Sequence, residues 1–322
     1  MRIGVDIGGT KIAVGLVGDD GAVSGRDQAP TPRTGGDDVM AAVIARVRRL
    51  MANAGPASGV SPVTGIGVGA PGVVDPAFGV VLSATDVLPG WAGTDVAGPL
   101  RAATGLPVAV ENDVRAAALG ESRHGAGVGV ERLLVASIGT GVGGALVLGG
   151  ALHRGAHGTT GEIAHLLVPG IGPIPCGCGR FDHLEARACG PAVAAAYRAA
   201  YGRRDGAGAG PAGGTVGDVV TDVAPALPEV ARRWRAGDAT AGRVITDAAR
   251  LIGRALAGLV VAVDVDAIVV TGGVAGIGED FLAPLRTGLR ESAIGALRAI
   301  PVLAGTLGTD APLIGAAELV QP

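Results

Sequence analysis

Four short segments concentrate the residue types that chemistry requires. The first is Asp6-Ile7-Gly8-Gly9-Thr10-Lys11. A strand that delivers an aspartate to a tight glycine turn leaves backbone N–H groups able to wrap a phosphate. The threonine hydroxyl can assist them, and the carboxylate can hold a hydrated Mg²⁺. An ordinary hairpin turn would read the same way. The second segment, Glu111-Asn112-Asp113, falls where a strand end meets a helix start. Ligands of open α/β sheets bind at the carboxyl ends of strands, yet Asn and Asp are equally favoured as helix N-caps. The third, residues 158–165, spaces Glu162 and His165 so that both point together in a turn or short helix. The fourth is Cys176-Gly177-Cys178 with His183 five residues on. Two thiolates and an imidazole in a short segment suit tetrahedral Zn²⁺, with His165 as the fourth ligand; three unrelated buried residues are the alternative. The P-loop pattern GxxxxGK[ST] is absent.

The elements that must position these residues follow from pattern. Residues 2–7 and 12–17 are β-rich runs joined by GGTK and read as a hairpin. A helix with Val39, Val43, Val47 and Leu50 on one face begins near Asp37 and Asp38 and stops before Gly55. A strand at 64–68 leads into the loop GAPGVVD. A helix at 95–104, a strand at 107–111 and a helix from 113 to about 124 follow. Strands at 133–138 and 144–148 flank a second glycine turn, GTGVGG, which echoes the first and predicts two related halves. A helix over 239–263, carrying Val244, Leu251, Ala255 and Leu259, feeds a strand at 267–270 and the turn TGGV; a last helix covers 313–320. Residues 203–214 are low-complexity and read as a surface loop. This alternation is that of an α/β fold.

Composition bounds the rest. Of 322 residues 58 are glycine, a level that suggests collagen or a disordered linker. No every-third-residue repeat exists, and 48% hydrophobic content excludes a chain unable to build a core. A minority of these glycines sit in the motifs; many of the others, in the 203–214 loop and in Ala-Gly runs, read as a matter of composition. The length favours two domains. A net charge of −3, with basic and acidic residues scattered, leaves no footprint for nucleic acid. The N-terminus lacks a signal-peptide core. The most apolar stretch, 251–270, is broken by Arg254, Asp264 and Asp266, so a cytoplasmic protein with no membrane partner is expected. Three cysteines, two of them one residue apart, suit a metal site better than disulfides.

In order along the chain, DIGGTK (6–11), GVGAPGVVD (67–75), LPGW (88–91), ENDVRAAALGE (111–121), residues 137–165, CGCGRFDHLE (176–185), VVTGGV (269–274) and LGTDAPLIGAA (307–317) resemble the ROK family of bacterial sugar kinases and repressors, most closely its glucokinases. The resemblance implies an α/β, two-domain actin-like ATPase (ribonuclease H-like) fold of the sugar-kinase type. Residues 1–112, joined by the C-terminal helix at about 307–322, would form the small domain, and 113–306 a large domain with a zinc-binding loop. It implies ATP phosphates on Gly8, Gly9, Thr10 and Lys11 and on Gly139, Thr140 and Gly141, Mg²⁺ held through water by Asp6, and adenosine along Gly272 and Gly273. Asp113 would be the catalytic base toward a hexose 6-hydroxyl. Asn112, Glu162, His165 and Glu185, with backbone around Gly69 and Ala70, would hold the sugar. His165, Cys176 and Cys178 match zinc ligands of the family; its third cysteine is His183 here, and the glycine before it is Asp182. Two more departures flank the sugar site: Val87 replaces an Asn and Arg115 an Asn. The implied activity is ATP-dependent phosphorylation of glucose by a homodimer. Kinases for N-acetylmannosamine, allose, fructose or an amino sugar are the alternatives. A sugar-sensing regulator is disfavoured, because Asp6 lies too near Met1 for a preceding helix-turn-helix.

Overall fold

The computed structural model describes residues 1–54, 61–84, 88–168, 170, 173–205 and 226–320, with backbone alone for 201–205. Val87 and most of the 203–214 segment lie outside the described residues. The chain opens with strands β1 (Arg2–Ile7), β2 (Lys11–Val17) and β3 (Val23–Pro30), then helix α1 (Gly36–Asn53). Strand β4 (Ile66–Ala70), the hairpin β5 (Val73–Asp75) and β6 (Val80–Ser83), helix α2 (Ala97–Thr104), strand β7 (Val108–Asn112) and helix α3 (Asp113–His124) follow. The second half contributes β8 (Arg132–Ile138), β9 (Val142–Leu148), β10 (Ala151–His153), α4 (Leu184–Ala188), α5 (Gly190–Asp205), α6 (Leu227–Arg235) and α7 (Ala239–Val263). It ends with β11 (Ala267–Thr271), α8 (Glu279–Ser292), β12 (Val302–Ala304) and α9 (Ala311–Glu318).

Apart from the two-stranded β5-β6 hairpin, these strands form two five-stranded sheets of one plan, β3-β2-β1-β4-β7 and β10-β9-β8-β11-β12. In each, the first strand pairs antiparallel with the second across a glycine turn and parallel with a later strand on its other side. The echo between the two hairpins is therefore an echo of whole sheets. Helix α1 buries Val39, Val43, Val47 and Leu50 as its spacing predicts.

Three expectations shift. Strand β4 runs two residues past the predicted end, because Gly69 and Ala70 pair with Glu111 and Asn112 of β7; the glycine-rich sequence had read as loop. Helix α9 starts at Ala311, with Pro312 in the first turn, where a missing N–H costs nothing. Helix α7 keeps its predicted span but turns a neighbouring stripe inward. Ile245, Ile252, Leu256 and Val260 are fully buried, while Val244, Leu251, Ala255 and Leu259 are half-buried beside them. The cause is a backbone contact with α8: a Cβ on Gly253 would lie 2.0 Å from the Leu285 carbonyl oxygen, which fixes the inner face.

Helix α9 lodges in a groove floored by glycine. A Cβ on Gly315 would meet the Ala116 oxygen of α3 at 1.6 Å, and Cβ atoms on Gly4 and Gly67 would meet α9 carbonyls at 2.0 and 1.7 Å. These three glycines, outside the four segments read first for chemistry, are required by packing. No helix among the described residues is long and apolar enough to cross a membrane.

Candidate active site

The parallel strands of the first sheet end level with one another. Asp6 pairs with Gly69, Gly69 with Glu111, and Ala70 with Asn112. Asn112 caps α3: its Oδ1 accepts the Arg115 N–H at 3.1 Å, and its Nδ2 donates to the Gly72 carbonyl. The capping role thus belongs to Asn112, and Asp113 becomes the first helical residue, half-buried, with Oδ1 accepting the Val114 N–H at 2.8 Å. Gly69 lies directly beneath it, 3.3 Å from the Asp113 Cα to where a Cβ would stand. Burial pushes the Asp113 carboxyl up to about 7; the Asp6 carboxylate adds to the rise and Glu162 contributes less, while N–H donors pull it down. Burial likewise raises Asp6 to about 6, against the pull of Lys11 and Arg26. Two carboxyls so placed share one electrostatic problem, which a cation or a hydroxyl proton donor would relieve.

The glycine turn Gly8–Lys11 is braced from below. Gly8 N–H donates to the Lys11 carbonyl at 2.9 Å, the Thr31 hydroxyl donates to the Gly8 carbonyl at 2.7 Å, and Arg33 donates to the Gly9 carbonyl at 3.2 Å. Sequence reasoning missed Thr31 and Arg33; they follow β3 and carry no local signal. Lys11 is exposed and is the only lysine in the chain. The second turn closes on itself through Gly139 N–H to the Gly141 carbonyl at 2.8 Å. Gly139, Thr140 and Gly273 line a cavity of ≈ 590 Å³ together with Ala194, Leu227 and Ile277. The Gly8–Lys11 turn is not among its walls. Gly272, which precedes Gly273, has φ 83°, and a Cβ there would strike the Ile138 oxygen at 2.5 Å.

Glu162, at the start of a 3₁₀ turn over Ile163–His165, is partly exposed. The Nδ1 of His165 lies 3.1 Å from the Nδ1 of His183. His165, Cys176, Cys178 and His183 bring one donor atom each within 4.8 Å of one another. Two thiols and two imidazoles at this spacing fit a tetrahedral zinc. Asp182 adopts φ 60°, a left-handed conformation that glycine enters without strain and that Asp tolerates better than most residues. Asp is accommodated because its carboxylate accepts the Ile174 N–H at 3.1 Å and pairs with Arg187 at 2.6 Å. Glu185, on α4, accepts the Val142 N–H at 2.9 Å, so it sits against the second glycine turn as well as behind the cysteine loop.

Two sheets of identical order, each folded around a glycine turn, with carboxylates at the strand ends between them, define an actin-like ATPase fold of the sugar-kinase type. The chain belongs to the ROK family, whose model matches residues 2–322. A glucokinase of Halalkalibacterium halodurans is 32% identical, over 99% of this chain and 94% of the relative. An N-acetylmannosamine kinase of Escherichia fergusonii is also 32% identical, over 99% of this chain and 98% of its own. Among solved structures, the ROK glucokinase of Streptomyces griseus in complex with glucose and AMPPNP is 34% identical, covers 99% of this chain and 98% of its own, and superposes with a TM-score of 0.79.

Proposed function

We propose that the protein is an ATP-dependent hexose kinase that phosphorylates the 6-hydroxyl of glucose, with Asp113 as general base. The observation that carries this reading is Asp113 itself: a carboxyl poised near neutrality at a strand–helix junction, beside Asp6 and within a sheet edge that also presents a glycine turn. Asp113 accepts the proton of the 6-hydroxyl as that oxygen attacks the γ-phosphorus. The transition state is loose, so the base must chiefly hold the hydroxyl in line, a task suited to a side chain fixed by a helix start. A base near pH 7 matches a neutral working range.

The two turns, Gly8-Gly9-Thr10-Lys11 and Gly139-Thr140-Gly141, supply N–H donors to the phosphates. Asp6 would hold a hydrated Mg²⁺, which would offset phosphate charge. Adenosine lies along Gly272 and Gly273 in the ≈ 590 Å³ cavity. Asn112, Glu162, His165 and Glu185, with backbone at Gly69 and Ala70, take the sugar hydroxyls; charged acceptors reject epimers by being left unpaired. His165, Cys176, Cys178 and His183 would hold a structural zinc, which would fix the loop that carries His165 and Glu185. Residues 1–112 with about 307–322 act as one domain and 113–306 as the other, in a cytoplasmic homodimer.

A second reading, an N-acetylmannosamine kinase, is favoured by the 32% identical relative of that name. A coupled ATP assay over a hexose panel separates the two. Phosphorylation of glucose is the expected outcome; turnover of N-acetylmannosamine alone supports the second reading, and turnover of neither refutes both.

A further inference from the structure

We propose that Arg115 is a positioning residue that, with Arg154, pins the loop bearing Glu162 to the strand end bearing Asp113 before any sugar arrives. Arg115 is 2% exposed and lies in the first turn of α3, two residues beyond Asp113. Its backbone N–H is the one that Asn112 caps. Its guanidinium faces three ways. One nitrogen lies 3.5 Å from Glu111 Oε1; the other donates to the carbonyls of Gly158 and Thr160, the latter at 3.2 Å, and stands 4.0 Å from Glu162 Oε1. Glu111, wholly buried at the end of β7, also receives Arg154, the residue that follows β10. The Arg154 carbonyl in turn accepts the Thr160 N–H at 3.2 Å. The segment 154–162 is therefore closed on itself by its backbone and tied at both ends, through Arg154 and Arg115, to one buried carboxylate.

The chemistry explains why arginine stands here. A planar fork with five N–H donors can span a carboxylate and two carbonyls at once; an ammonium is a single point and an amide is too short. A buried carboxylate tolerates its burial when paired and hydrogen-bonded, and Glu111 has both guanidinia and the Asn112 N–H at 2.9 Å. At 4.0 Å, Glu162 gains the favourable field of Arg115 but no hydrogen bond, so its oxygens stay available to hydroxyl donors. The result is a sugar-facing carboxylate held in place without being used up, at fixed distance from the catalytic base. Preorganisation of this kind lowers the cost of binding the sugar and leaves the nucleotide side untouched.

The kinetic part rests on the hexose-kinase reading, whereas a hydrogen-exchange measurement does not. In sugar-free protein, Arg115→Lys is expected to speed amide exchange within 155–162 by about tenfold while exchange in α7 and β8 is unchanged. Sugar KM is expected to rise about tenfold, with ATP KM within about twofold of wild type and a smaller effect on kcat. Arg154→Gln, whose parent side chain is 39% exposed, tests the same pin from the other end if the buried substitution prevents folding. It should move both readouts in the same direction by a smaller factor. Unchanged loop exchange in a folded variant overturns the proposal, as does an equal rise in the two KM values. A wild-type enzyme that phosphorylates no hexose refutes the functional reading, and the exchange result still decides this one.

Discussion

Replacing Asp113 with asparagine should harm catalysis and help folding, and the two effects have a common source. Asparagine keeps the shape and can still accept the Val114 N–H, but it cannot take a proton. A general base contributes typically 10²–10⁴-fold, so kcat should fall by about that factor. The wild-type kcat/KM for sugar should rise with pH through about 7, and this rise should vanish in the variant. The stability effect follows from the same raised value. The carboxyl moves from 3.8 to about 7 on folding, roughly three pKa units, each equivalent to about 1.4 kcal/mol. The ceiling is therefore about 4 kcal/mol, and because part of the shift is mutual with Asp6, about 2 kcal/mol is the expected gain. Its sign is fixed by linkage. The folded state favours the protonated carboxyl, so the wild-type contribution is whole below pH 3.8 and is lost as pH rises to about 7. The Asp113→Asn substitution is thus expected to add nothing near pH 3.5, about 1 °C of Tm at pH 5 and about 3 °C at pH 8 for a chain of this size. Thermal unfolding of both proteins across that range is the assay. A pH-independent gain, or no gain at pH 8, would refute the argument that burial of this carboxyl is what tunes it.

Purified protein should carry about one zinc per chain, and Cys176→Ser should release it and lower Tm by several degrees; well under one equivalent with an unchanged Tm contradicts the assignment. Gly315→Ala should cost about 3 kcal/mol, read as a drop of about 4 °C in Tm, since its Cβ would sit 1.6 Å from the Ala116 oxygen; a shift under 1 °C would show that α9 can move aside. Because Lys11 is the only lysine, an amine-directed acyl ester should label it and the N-terminus alone. ATP with Mg²⁺ should slow labelling of Lys11 about tenfold, and stoichiometric labelling without loss of activity would separate Lys11 from phosphate binding.

What was legible in the sequence was local. The β1–β2 and β8–β9 hairpins read correctly because β-branched runs and a glycine turn are adjacent in the chain. The clustering of two thiols and two imidazoles was legible because three of the four residues fall within 176–183. What was not legible depends on distant partners. Glu111 meets Arg154 across 43 residues, and the Glu185 contact to Val142 N–H spans the same interval; nothing near either residue announces it. The inward face of α7 was ambiguous because two apolar stripes lie side by side, and a glycine contact with α8 decides between them. The demand for glycine at 4, 67 and 315 comes from the distant helix laid across them, so it has no local signal.

The crossing of α3 over α9 at Gly120 and Gly315 has a mechanical meaning. Backbone meets backbone there, with a Cβ on Gly120 only 2.6 Å from the Ala311 oxygen, so the two helices cannot slide without clash, but they can swivel about the point of contact. Asp113 stands seven residues away along α3, about 10 Å at 1.5 Å per residue. A swivel of about 10° would carry its carboxylate through only about 2 Å. The Asp113 carboxylate therefore rides close to the fulcrum, on a short arm.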